Sequence, residues 1–230
     1  DSFKQALKIK PDYAEAYNNV GVALKSKGDL EAAIGNYQQA LKFKPDYADA
    51  YNNIGLSMRS KGELEAAIGS YQQALKIKPD YADAYNNMGN ALQDKGDLEA
   101  AIVSYRQALK IKPNYADAYN NMGNVLKYKG DLEAAIDSYK QALKIKPNYA
   151  KAYNNMGVAL FDEGDLDAAI DSYQQALSIK PHYVGAYNNM GNALKDKGEL
   201  EAAIGSYNQA LKIKPDSQVS LASKLHLQSH

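Results

Sequence analysis

The chain contains no cysteine in 230 residues. Disulfide staples, thiol nucleophiles and thiolate metal sites are therefore excluded. This composition fits a reducing compartment, so cytoplasmic placement is the expectation. A net charge is also missing, because 27 Lys and Arg face 27 Asp and Glu. The balance gives no electrostatic reason to expect nucleic acid or an anionic membrane as partner. No apolar run approaches the roughly 18 residues of a membrane span. Only three histidines occur. His182 lies alone, and His226 and His230 sit near the end, so their spacing suggests no metal site. The KGD and KGE segments do not fit the GxxxxGK[ST] phosphate loop. The carboxylates recur with the chain's own period, so none stands out as a singular acid or base. No catalytic residue, cofactor or metal is expected.

What the chain has instead is a period. Its seven prolines, Pro11, Pro45, Pro79, Pro113, Pro147, Pro181 and Pro215, are each 34 residues apart. Ala82 to Tyr115 reads ADAYNNMGNALQDKGDLEAAIVSYRQALKIKPNY, and the following 34 residues differ from it at only five positions. A fixed period of this size is the signature of a stacked array in which each unit buries its apolar face on its neighbours. Counting from the alanine or valine after each Pro-x-Tyr, full units cover 14–47, 48–81, 82–115, 116–149, 150–183 and 184–217. The segment 1–13 reads as the second half of a further unit, since DSFKQALKIKP matches DSYKQALKIKP at 137–147. Residues 218–230 read as a partial capping helix, with Leu221 and Leu225 at helical spacing. The chain is accordingly expected to be a piece of a longer protein.

Each unit reads as two helices. In the third, Ala82, Ala84, Tyr85, Met88, Gly89 and Leu92 recur with helical spacing on one face. Asp80 is the expected N-cap, with Asp83 three residues on. Gly96 ends the helix. Asp97 then caps a second helix, whose apolar face carries Leu98, Ala101, Ile102, Tyr105, Ala108 and Leu109. Lys110 and Lys112 suit its negative end, and Pro113 terminates it. The short connection predicts antiparallel packing. Gly89, Ala101 and Ala108 let neighbouring axes approach.

The series Tyr85, Met88, Gly89, Leu92, Ala101, Tyr105, Ala108 and Pro113 resembles the tetratricopeptide repeat pattern. Tyr replaces the usual Trp, Met the Leu, Leu the Tyr and Tyr the Phe. The resemblance covers roughly residues 1–217. It implies an all-α, right-handed solenoid of antiparallel helix pairs, with first helices lining a concave groove. It also implies a non-catalytic protein–protein interaction module, the recognition arm of a larger protein. Partners would be protein or peptide segments. The alternative is a scaffold that self-associates head to tail through open repeat ends such as 1–13.

The resemblance further implies which positions face the groove. Position six of every unit is asparagine: Asn19, Asn53, Asn87, Asn121, Asn155 and Asn189. Position five is too: Asn18, Asn52, Asn86, Asn120, Asn154 and Asn188. Asparagine is a mediocre helix former, so twelve at mid-helix need a reason. An amide both donates and accepts, and a column of them suits an extended peptide backbone. That reading is preferred for position six. The competing reading, asparagines bridging adjacent helices, is preferred for position five. Position two holds Glu15, Asp49, Asp83 and Asp117, then Lys151 and Gly185, and serves either ligand selection or helix-start capping. Positions nine, twelve and thirteen vary most, among them Asn90, Asn124, Lys25, Arg59, Asp94, Tyr128 and Phe161. Specificity is expected there, with Tyr128 and Phe161 as apolar ligand contacts. The asparagine column with nearby aspartates, and DAYNNMG at 83–89, is similar to the repeat region of O-linked N-acetylglucosamine transferases. The carboxylate-clamp class of these repeats matches only at Lys151 with Asn155.

Overall fold

The computed structural model describes residues 12–217, 220–222 and 224. Its twelve assigned helices run α1 Ala14–Ser26, α2 Leu30–Phe43, α3 Ala48–Ser60, α4 Leu64–Ile77, α5 Ala82–Lys95, α6 Leu98–Ile111, α7 Ala116–Tyr128, α8 Leu132–Ile145, α9 Ala150–Glu163, α10 Leu166–Ile179, α11 Val184–Asp196 and α12 Leu200–Ile213. Each unit of the period supplies one pair. No strand occurs among the described residues. The half unit proposed at 1–13 lies outside them except for Asp12 and Tyr13, as does Leu225.

The chain divides into two compact units, Asp1–Pro113 and Asn114–His230. The first contains α1–α6 and the second α7–α12. In each, a first helix packs along its own second helix and then against the second helix of the preceding repeat. First helices also touch their neighbours, α1 with α3 and α3 with α5 in one unit, α7 with α9 and α9 with α11 in the other. The result is an α-solenoid of helix pairs.

The local rules behind each pair are legible. At the junction between its helices the glycine is left-handed, with φ of 89° at Gly96 and 93° at Gly164. A side chain there is strained, and glycine is not. The aspartate that follows starts the second helix. Asp29, Asp97, Asp131 and Asp165 each accept the backbone N–H of the residue three places on, at 3.1–3.4 Å. Glu63 and Glu199 occupy the same slot without such a bond, and their carboxylates pair instead with Lys61 at 2.6 Å and Lys197 at 2.7 Å.

The first helices start differently from expectation. The N-cap of α5 is Tyr81, not Asp80, and its side chain makes no capping bond. Pro79 and Asp80 form a turn, and the chain is still extended at Tyr81. His182 likewise belongs to the turn before the Tyr183 cap.

The core is made chiefly of alanines and one tyrosine per repeat, with aliphatic residues such as Leu92, Ile102, Ile170 and Leu194 beside them. Tyr37, Tyr71, Tyr105, Tyr139, Tyr173 and Tyr207 are fully buried or nearly so, alongside alanines such as Ala101 and Ala108. Each tyrosine ring lies over the glycine at position eight of its own first helix. A Cβ added to Gly89 would stand 2.6 Å from Tyr105 Cε1. The glycine is therefore the floor on which the tyrosine is laid. Asn86 and Ala91, absent from the expected apolar face of α5, are buried as well.

Candidate functional site

The first-helix face carries most of the residues singled out from the sequence. Its central feature is a set of asparagine pairs, each made between adjacent repeats. Asn53 Nδ2 donates to Asn18 Oδ1, and Asn87 Nδ2 to Asn52 Oδ1, both at 3.0 Å. In the second unit Asn155 Nδ2 donates to Asn120 Oδ1 and Asn189 Nδ2 to Asn154 Oδ1, again at 3.0 Å. The acceptors at position five are buried, and the donors at position six are half-buried. A buried amide oxygen left unpaired costs about 1–3 kcal/mol, so each bond ties one repeat to the next. Asn120 Nδ2 also reaches Asn121 Oδ1 at 3.4 Å. Asn19 is exposed.

This pairing gives position six an orientation. Among the described residues, Oδ1 of Asn53, Asn87, Asn155 and Asn189 has no protein hydrogen bond, while Nδ2 is engaged. What these side chains leave unpaired is chiefly an acceptor.

Position nine is tied to the core tyrosine beneath it, a link that reading the face by columns missed. Tyr105 OH donates to Asn90 Oδ1 at 2.8 Å, with Gln93 Oε1 a second acceptor at 3.2 Å. Tyr139 OH donates to Asn124 Oδ1 at 2.9 Å, and Tyr207 OH to Asn192 Oδ1 at 2.8 Å. Asn124 Oδ1 also accepts from Asn155, which joins tyrosine and asparagine pair into one network. In the first two repeats Val22 and Leu56 stand at position nine, and the buried hydroxyls of Tyr37 and Tyr71 have no hydrogen-bond partner. The Ser57 hydroxyl lies beside Tyr37 and donates to Asn53 O at 3.0 Å, without forming a hydrogen bond to the Tyr37 hydroxyl.

This contrast makes a stability prediction. Tyr71→Phe removes an orphaned polar group, whereas Tyr105→Phe removes a satisfied one and strands its acceptors. We expect Tyr71→Phe to raise the unfolding free energy by about 1 kcal/mol and Tyr105→Phe to lower it by about the same. Urea midpoints that shift in the same direction for both would contradict the assignment.

Position two is also bound into the fold. Glu15 Oε1 pairs with Lys44 Nζ at 3.0 Å, which holds the start of α1 to the end of α2. Asp49 and Asp117 lie beside the Tyr81 and Tyr149 hydroxyls at the ends of their own repeats. Burial is the main cause holding both of those tyrosines protonated above their usual range, and the neighbouring carboxylate adds to it. Asp83 is exposed. At positions twelve and thirteen Arg59 Nε meets Asp94 Oδ2 at 2.6 Å, and Lys127 Nζ meets Asp162 Oδ2 at 3.8 Å. Tyr128 is 79% exposed. Phe161 is half-buried and packs against the core cluster of Ile170, Tyr173 and Leu194. Among the described residues, no three His, Cys, Asp or Glu side chains gather as a metal site. No described helix is long and apolar enough to cross a membrane.

A family profile described as TPR repeat matches residues 21–58, 55–96, 89–128, 123–162 and 157–198. Profiles described as tetratricopeptide repeat match 184–217 and 2–35. The chain belongs to the tetratricopeptide repeat family. Its repeats are of the kind that serves as a protein–protein interaction module. Among solved structures it is similar to MamA, with 30% identity, 70% of this chain and 95% of that one covered, and a TM-score of 0.65. It is similar to YrrB, described as a TPR protein with an unusual peptide-binding site, with 26% identity, 82% and 97% covered, and a TM-score of 0.65. A chain of the APC/C hetero-tetramer Cut9–Hcn1 shares the fold over 98% of this chain, with 20% identity and a TM-score of 0.82. This chain spans 45% of that one. No curated protein sequence matches. These matches carry the family, and not the narrower likeness to O-linked N-acetylglucosamine transferase repeats.

Proposed function

We propose that the first-helix face of these tetratricopeptide repeats is a groove for extended peptide segments of partner proteins, with position-six asparagines gripping the peptide backbone. The observation that carries this reading is the orientation of those side chains. A buried neighbour holds each Nδ2, and the Oδ1 of Asn53, Asn87, Asn155 and Asn189 has no protein partner among the described residues. Backbone N–H groups of an extended segment are the natural donors. Packed helix axes lie about 8–10 Å apart, and an extended strand advances about 3.3 Å per residue. Neighbouring asparagines would therefore grip about every third residue and read no side chain. The variable residues at positions nine, twelve and thirteen, including Asn90, Asn124, Tyr128 and Phe161, would then select among sequences. The likeness to YrrB, itself described as having a peptide-binding site, supports the reading.

Two variants separate gripping from bridging. Asn87→Ala and Asn52→Ala break the same inter-repeat bond from opposite ends, so each should cost about 1 kcal/mol of stability. Only Asn87→Ala removes the acceptor. Against a peptide selected from a random library, and at a temperature where both variants stay folded, Asn87→Ala should weaken binding about five- to tenfold. Asn52→Ala should weaken it far less. Equal losses for the two would mean that the asparagines act only as bridges.

A further inference from the structure

Two ion pairs of the first-helix face share one register. Arg59 and Lys127 are each twelfth in their repeat, and each meets a carboxylate 35 residues on, Asp94 and Asp162, thirteenth in the next repeat. Lys25 is the twelfth residue of its own repeat. Thirty-five residues on stands Ser60, whose hydroxyl is turned to Leu56 O at 2.9 Å. Lys25 is half-buried and has no anionic partner among the described residues. Burial lowers its ammonium pKa, with no neighbouring carboxylate to restore it. It is the cationic half of an ion pair whose anionic half none of the described residues supplies.

The surroundings of Lys25 are apolar where the third, fourth and sixth repeats are polar, the fifth having Val158. Val22, one helical turn before it, is 42% exposed, and Leu56, half-buried against Tyr71 and Ala91, holds the same place in the next repeat. Asn90, Asn124 and Asn192 occupy that place in the third, fourth and sixth repeats. The exposed aliphatic surface and the unpaired cation are thus neighbours on one helix face, since residues three apart lie about 5–6 Å from each other. In an extended segment, side chains two residues apart point the same way about 6–7 Å apart.

We propose that the first two repeats select a peptide segment carrying an aspartate or glutamate two residues from an aliphatic residue, the acidic group docking on Lys25 and the aliphatic group on Val22 and Leu56. This rests on the peptide-groove reading above and adds what the groove prefers. The ligand carboxylate takes the place that Asp94 holds beside Arg59. A charge-assisted pair at a half-buried site is stronger than a neutral hydrogen bond, so Lys25 supplies selectivity that the asparagines do not.

The test is a random display library of peptides about twelve residues long, panned on the whole chain. An enriched peptide is then synthesised with a fluorescent label and titrated by anisotropy. We expect the enriched set to carry the aliphatic-x-acidic spacing. Lys25→Gln should weaken the labelled peptide about tenfold, as should replacing its acidic residue with the matching amide. The two changes together should cost little more than either alone. Ser60→Asp supplies the missing carboxylate from within the protein at an exposed position. It should weaken the acidic peptide about tenfold while leaving thermal stability unchanged or raised. Binders that depend on Asn87 but are indifferent to Lys25, Ser60→Asp and their own acidic residues would overturn this proposal and leave the groove reading standing. A library that yields no binder to the folded chain would overturn both.

Discussion

Above pH 10 we expect the chain to lose its helices in one cooperative step. Five core tyrosines, Tyr37, Tyr71, Tyr105, Tyr139 and Tyr173, are buried with at most 1% of their surface exposed. Burial disfavours the phenolate, so their hydroxyls stay protonated well above the usual value of 10. For Tyr37 the value is pushed up to about 12. The sign follows from linkage. A group whose pKa is higher in the folded state than in the unfolded state contributes stability that is fully present below the unfolded value. That stability is lost as pH rises towards the folded value. The unfolded chain begins to release its tyrosine protons near pH 10, and the folded chain does not. Each pH unit above 10 then removes about 1.4 kcal/mol per buried tyrosine. Five together remove about 7 kcal/mol per unit, against a total stability of about 5–15 kcal/mol for an ordinary domain. Folding should therefore fail within one or two pH units of 10. The phenolate absorbance of these five, counted beyond that of the tyrosines outside the core, should appear together with the loss of far-ultraviolet circular dichroism. Ionisation of all 19 tyrosines with helicity intact would show that the five are not held in the core as described.

Glycine-to-alanine substitutions should have opposite effects at two positions in the same unit. In a helix interior the change ordinarily stabilises by about 1 kcal/mol. At Gly69 on α4 an added Cβ meets nothing within 4 Å, so the ordinary gain is expected. At Gly89 on α5 the Cβ would come within 2.6 Å of Tyr105 Cε1 and 2.9 Å of its Cδ1. That ring is fully buried and cannot retreat without displacing its neighbours. Overpacking of this kind costs about 1–3 kcal/mol, and Gly89→Val should cost more. In urea denaturation Gly69→Ala should therefore move the midpoint up, and Gly89→Ala should move it down or cancel the propensity gain. A midpoint raised equally by both would mean that the tyrosine is not seated on the glycine. The same contact recurs at Gly21, Gly55, Gly123, Gly157 and Gly191, so a pair of such changes in different repeats should compound the loss.

The sequence disclosed the solenoid because its physics is one-dimensional. Glycine, aspartate and proline recur at fixed offsets, and each has one structural job. The aspartate cap at Asp97 and the left-handed Gly96 are placed as their residue types demand. The start of each first helix was misplaced by one residue. Aspartate is the better capping residue by type, but Pro79 commits Asp80 to a turn and leaves Tyr81 at the boundary.

The contacts of the first-helix face were hidden for a different reason. Columns read at the period of 34 set like beside like, Asn53 under Asn19 and Asp94 under Ser60. The repeats actually touch at a separation of 35, one residue out of register. Position six therefore meets position five, and position thirteen meets position twelve. The two asparagine columns, read with separate roles, supply the two ends of one bond made between successive first helices. The link from Tyr105 to Asn90 was hidden because a tyrosine in a phenylalanine slot reads as packing alone. Only the paired helices show where its hydroxyl goes.

The most direct test of the groove is an NMR titration with a library-selected peptide. Side-chain amide resonances would be assigned for Asn53, Asn87, Asn155 and Asn189 and followed as the peptide is added. The expected result is a set of shifts concentrated on these amides and on their neighbours at positions nine and twelve, with the second helices silent. Shifts confined to the second helices, with the four asparagine amides unmoved at saturation, would contradict the proposed function.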